Sequence, residues 1–101
     1  MLELRPTCEH CNKELPPESI GAMICSFECT FCSECVAAFL DVCPNCGGNF
    51  CARPIRPSRN LKGDNYLGNY PPGTKVRHRP VDVAAHAVFA AAIRGILPEK
   101  R

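Results

Sequence analysis

Nine of the 101 residues are cysteines, and six of them fall in the stretch CSFECTFCSECVAAFLDVCPNC, residues 25 to 46. Thiols crowded in this way serve one of four chemistries: disulfide cross-links, an iron–sulfur cluster, a redox pair, or tetrahedral zinc. In order they read Cys8-x2-Cys11, then Cys25-x3-Cys29-x2-Cys32-x2-Cys35, then Cys43-x2-Cys46, with Cys51 last. A Cys-x2-Cys turn suits zinc, because it brings two sulfurs to one ion at about 2.3 Å each. The residue after such a turn needs a positive φ, which asparagine or glycine tolerates. Asn12 follows Cys11, and Gly47 with Gly48 follows Cys46, so both outer pairs read as zinc knuckles.

The other chemistries fit less well. The opening MLELRPTCEH has no apolar segment after a basic one, so no signal peptide is read. No run approaches the length of a bilayer span. A cytoplasmic chain is therefore expected, with reduced thiols free to bind metal. Iron–sulfur binding is the alternative, because Cys29-x2-Cys32-x2-Cys35 followed by Cys43-Pro44 is similar to the bacterial ferredoxin run. That reading lacks a second motif and leaves Cys8 and Cys11 without a role. A thioredoxin-like pair would need a βαβ pattern, which is not visible. A catalytic zinc would need an open fourth position, whereas eight cysteines divide into two closed four-sulfur sites. No paired carboxylates are placed for acid–base work, and no enzyme activity is expected. Cys51 is read as a small buried apolar residue outside both sites, and His10 as a surface residue.

The elements that must position these sulfurs are short. AMICSFE, residues 22 to 28, lies between Gly21 and a turn and reads as part of a small hairpin. From Ser33 onward, Val36, Phe39 and Leu40 fall at i, i+3 and i+4, which predicts a helix with Cys32 and Cys35 at its start. Knuckle, hairpin and two ligands at a helix start make the treble-clef arrangement, with Cys8, Cys11, Cys32 and Cys35 on one zinc. Cys25, Cys29, Cys43 and Cys46 are left for a second, interleaved zinc. The expected fold is thus a small metal-stabilised α+β, two-zinc module. Below roughly 70–80 residues an apolar core seldom suffices, so metal takes part of that role.

The ligand order resembles the RING-type, cross-brace zinc fingers, and Cys43-Pro44-Asn45-Cys46 is similar to their last knuckle. Cys29 stands where the commonest RING form has histidine. Ligase members of that family carry an apolar residue after the second ligand, a tryptophan near the helix and a basic residue past the last ligand. Here Asn12 and Gly47 occupy the first and last of these positions, and the chain has no tryptophan. The stretch from Cys35 to Cys43 is also shorter than the usual E2-binding groove requires. The resemblance therefore implies the zinc framework and not ubiquitin-ligase activity. A closer resemblance covers residues 1 to about 57. MLELRPTCEHCNKELPPES, AMICSFECTFCSECV, VCPNCGGNF and RPIRP resemble the short cysteine-rich bacterial family catalogued as domain of unknown function 1272. This implies a bacterial source and a zinc-binding module, with no activity attached.

The rest of the chain has a different composition. Residues 1–50 carry seven acids against Arg5 and Lys13, a balance of −5; residues 51–101 carry ten bases against three acids, +7, and together these give the net +2. Residues 1–57 are read as the zinc module, 58–80 as a basic Pro/Gly-rich linker and 81–97 as an apolar helix. Arg53, Arg56, Arg59, Lys62, Lys75, Arg77 and Arg79 are spread through proline-rich sequence, with Tyr66 and Tyr70 nearby. Such a solvated tether can meet phosphates or an acidic partner. In the helix, Pro80 precedes, Asp82 caps, and Gly95 with Pro98 ends. Its polar residues Asp82, His86 and Arg94 share one line, so the apolar remainder is expected to pack on the module or on a second copy. A binding or adaptor protein is the expected function, with nucleic-acid binding through the basic tail as runner-up.

Overall fold

Pro16 and Pro17 break the chain after Leu15, and three residues of extended sequence follow Gly21 as β1 (Ala22–Ile24). A turn at Cys25–Cys29 reverses it into β2 (Thr30–Cys32), with Ala22 opposite Cys32 and Ile24 opposite Thr30. Glu28 makes the reversal at φ 64°, and its amide donates to the Cys25 carbonyl. β3 (Cys51–Ala52) pairs antiparallel with the other edge of β1, giving a three-stranded sheet of order β2-β1-β3. The computed structural model describes residues 1–101.

Helix α1 (Ser33–Ala38) starts directly from β2, with Cys32 at its N-cap, and buries Cys35 and Val36. It ends where Leu40 and Asp41 both adopt positive φ, 56° and 58°. That turn puts Leu40 at 43 % exposure, so the apolar face expected from Val36, Phe39 and Leu40 keeps only its first two members. The turn also lets Asp41 Oδ1 accept from the Phe50 amide at 2.9 Å, fixing the return to β3.

The core is small and half of it is sulfur. Twelve buried residues form one cluster, and six are Cys8, Cys25, Cys29, Cys32, Cys35 and Cys43. Phe31 packs edge-on against Phe39 and Phe50, at ring separations of 5.3 and 5.6 Å. Such T-shaped pairs add modestly to the area they bury.

Residues 53–82 contain neither helix nor strand, yet they differ from a free tether. The Arg56 guanidinium donates to the Leu2 and Tyr70 carbonyls, the Gly73 amide to Leu4 O, and the Arg79 amide to Glu9 O. Hydrogen bonds to main chain therefore lay this segment along the N-terminal part.

Helix α2 (Val83–Ile93) has the expected Asp82 cap, whose carboxylate accepts from the Ala85 amide at 3.1 Å. A 3-10 turn (Pro98–Lys100) follows. The packing of α2 reverses expectation. Its buried residues are His86 and Ala90, on the line that also carries Asp82 and Arg94, while Val83 and Val88 face outward at 57 and 75 % exposure. The cause is His86, a polar residue buried where an apolar one is expected. Its ring lies 4.8 Å from Phe39, and its Nε2–H meets the Val42 carbonyl at 2.8 Å, so a polar residue satisfies a buried acceptor. No helix is long and apolar enough to cross a membrane.

Candidate metal centre

The two outer Cys-x2-Cys turns share one backbone design. In the first, the Cys8 amide donates to Lys13 O at 2.9 Å and the Asn12 amide to Cys8 O at 3.0 Å. In the second, the Cys43 amide donates to Gly48 O and the Gly47 amide to Cys43 O, both at 2.8 Å. Asn12 sits at φ 63° and Gly47 at 78°, the left-handed positions expected after each pair, while Gly48 does not need one. A Thr7–Glu14 bridge closes the base of the first turn.

The first turn faces the start of α1. The sulfurs of Cys8, Cys11, Cys32 and Cys35 lie within 4.8 Å of one another. Cys8 and Cys35 Sγ are 3.8 Å apart, as are Cys11 and Cys32 Sγ. Four sulfurs each about 2.3 Å from a central ion form a tetrahedron with edges of about 3.8 Å. Two non-adjacent edges of this group therefore have the length a bound ion demands.

The second group joins Cys25, from the hairpin turn, to Cys43 and Cys46. Main-chain amides already point at its sulfurs, Phe27 N–H at Cys25 Sγ (3.3 Å) and Gly48 N–H at Cys46 Sγ (3.4 Å). Such donors stabilise negative charge on sulfur. Cys29, expected as the fourth member, stands beside this trio and not within it. Its thiol is buried. The x3 spacing across a tight turn, where the Cys25 amide bonds Cys29 O, offsets the two sulfurs.

Burial pushes the thiols of Cys29, Cys35 and Cys43 up, and neighbouring thiols add to the effect at Cys35. Desolvation disfavours an uncompensated thiolate, so a cation is what would offset the charge of four sulfurs in the first group and three in the second. These two groups could hold metal ions.

Cys51 departs from its expected burial. It is exposed on β3, opposite Ile24, and belongs to neither group. Cys51→Ser is therefore expected to leave metal content unchanged, as read by mass under non-denaturing conditions; loss of an ion would overturn that. His10 is likewise more than a surface residue. Its ring packs edge-on to Phe39 at 5.3 Å, and its Nδ1 accepts from the Val81 amide at 2.8 Å.

The basic residues expected to meet an anionic partner divide in two. Arg53 is buried, and its guanidinium donates to the carbonyls of Arg5, Leu15 and Pro16 at 2.9–3.1 Å. Burial lowers its pKa. It is a core residue and offers nothing to a phosphate, which corrects its assignment from sequence. Arg56 is engaged by Leu2 and Tyr70, and Arg77 lies 4.0 Å from Glu3. Arg59, Lys62, Lys75 and Arg79 stay exposed.

One pair in the first turn escaped sequence reading. Glu9, between Cys8 and Cys11, is buried and accepts from Arg5 Nη1 at 2.8 Å and from the Thr30 amide at 2.6 Å. Burial pulls the Arg5 pKa down, but the Glu9 hydrogen bond and charge outweigh it and hold it up. A periodicity argument has no means to find this link, because it joins a turn to a strand 21 residues on.

Comparison with known proteins gives the same N-terminal unit. An uncharacterized protein of Rhizobium meliloti (strain 1021) is 57 % identical over 63 residues, which cover 61 % of this chain and 75 % of that one. No solved structure matches the chain. The family model described as "Protein of unknown function (DUF1272)" matches residues 1–56, the segment that supplies every cysteine of both groups. With its two turns, its hairpin and its helix start all inside that match, the chain belongs to the DUF1272 family.

Proposed function

We propose that the chain is a non-catalytic interaction or adaptor protein built on a two-zinc module of treble-clef, cross-brace type. The observation that carries this reading is the first cysteine group. Its two 3.8 Å sulfur–sulfur edges match a tetrahedral ion, and a knuckle, a hairpin and a helix start supply them in treble-clef order. The second zinc would take Cys25, Cys43 and Cys46, with Cys29 as fourth ligand. Cys29 supports that assignment because it is the buried thiol left over once the first group is filled, and it closes the same tight turn as Cys25, whose amide bonds Cys29 O. The grouping of Cys32 and Cys35 with Cys8 and Cys11 tells against an iron–sulfur run through Cys29, Cys32 and Cys35.

Closed sulfur sites leave no position for substrate water, so the zincs act on the fold and the contacts are made by the surface. The nucleic-acid reading has less support, because Arg53 and Arg56 spend their donors on main-chain carbonyls. Mass measurement of the intact protein is expected to show two zinc ions and no visible absorbance. A brown protein with iron and labile sulfide would replace the zinc reading.

A further inference from the structure

The C-terminal segment does not touch the N-terminal part at random: its anchors fall on the two Cys-x2-Cys turns. On the first turn, the Arg79 amide donates to Glu9 O at 2.7 Å, His78 Nε2 meets His10 O at 3.1 Å, and the Val81 amide donates to His10 Nδ1. On the second, His86 Nε2 meets Val42 O, and Arg101 Nη1 donates to Asp41 O and Gly47 O at 3.1 Å. Between them Phe89 lies over Gly47, so close that a Cβ there would come within 3.2 Å of the ring. Ala90, one residue on and one turn of helix from His86, is fully buried. Residues 9 and 10 belong to the turn of one cysteine group; residues 41, 42 and 47 flank the turn of the other.

We propose that residues 78–101 are a strap that retains metal. Docked, the strap ties the two knuckles together and slows release of both ions; when an ion leaves, the strap lets go. This rests on the two-zinc reading above. The physical link is the shape of the turns. Apart from His10 Nδ1, the strap's acceptors are main-chain carbonyls whose positions follow from the tight turns at Asn12, Leu40–Asp41 and Gly47. An ion fixes the first and last of these by holding both sulfurs of each. For a sulfur to leave its ion the turn must open, and opening moves the acceptors that the strap holds. Docking and metal retention therefore favour the same state, which is the thermodynamic condition for coupling.

The test compares chelator-driven zinc release from full-length wild type, Ala90→Glu and Val88→Glu, followed with a coloured chelator. Ala90→Glu puts a charge at the fully buried position of the docked helix and alters no residue of either turn. Val88→Glu puts the same charge on the outward face of the same helix. Release from Ala90→Glu is expected to be about tenfold faster, because the undocked population sets the rate. Val88→Glu should match wild type. Equal rates in all three would overturn the proposal. A second measurement needs no variant: tryptic cleavage of wild type at Arg94 should speed up when chelator removes the metal. Cleavage indifferent to chelator would also overturn it. Failure of the underlying reading is distinguishable, since it appears as wild type that carries no zinc before any rate is taken.

Discussion

Cys32→Ser is expected to cost one ion and most of the order in residues 1–56. Cys32 is the N-cap of α1, the last residue of β2 and one of four sulfurs in the first group, so three structures meet at one side chain. The cluster it belongs to has only twelve members, and the other apolar ones are Leu15, Ala22, Phe31, Val36, Phe39 and Phe50. A core of that size does not hold a fold alone. Structural zinc supplies about 10–16 kcal/mol of apparent folding free energy in small modules. Losing one of four ligands is expected to remove on the order of 5 kcal/mol of that, enough to unfold a marginal domain. Intact-protein mass should fall by one zinc, and the thermal midpoint should drop by tens of degrees. A variant that keeps both ions and its wild-type midpoint would show that Cys32 is not a ligand.

Arg53→Ala is the second large effect, although nothing in the local sequence marks it. Arg53 is 3 % exposed and has no carboxylate partner. Its Nη1 and Nη2 serve three carbonyls, one in the N-terminal strand-like segment and two at the Leu15–Pro16 bend. Truncation leaves the Arg5 and Leu15 carbonyls without a donor, while Pro16 O keeps the Ser19 amide, at about 1–3 kcal/mol for each group not rehydrated. A loss of about 3 kcal/mol or more is expected in chemical denaturation, with metal content intact before unfolding. Arg53→Lys should recover only part of it, because an ammonium cannot reproduce the planar fork that spans the three carbonyls. A neutral result for Arg53→Ala would mean that water takes over the site.

Short-range chemistry was the legible part of this sequence. The left-handed residues after each Cys-x2-Cys pair, the hairpin before Cys32 and the Asp82 cap each follow from a few adjacent residues, and each is found where it was expected. Contacts between distant segments were not legible. Arg53 looked like one more base in a basic run, but its partners are 37 to 48 residues away. The line of Asp82, His86 and Arg94 reads as a solvent face only if polarity means exposure. His86 shows why that fails: an imidazole can pack at a tilt against Phe39 and satisfy a buried carbonyl with its edge. Leu40 fails for a different reason. A left-handed turn at Leu40 and Asp41 ends the helix before its periodicity runs out.

The two cysteine groups alternate along the chain, residues 8 and 11 with 32 and 35, then 25 with 43 and 46. A ribosome making this protein cannot complete the first group until Cys35 has emerged, and by then Cys25 is already enclosed in the loop that closes. Seventeen residues separate Cys25 from Cys43, but once Cys32 and Cys35 are pinned and the hairpin holds residues 26–31, only the seven after Cys35 remain free. Shortening a loop by that factor lowers its closure cost by roughly 0.8 kcal/mol. The earlier-made half of the chain would thus prepare the later one, and an ion in the first group would favour filling of the second over a mixture of half-loaded molecules.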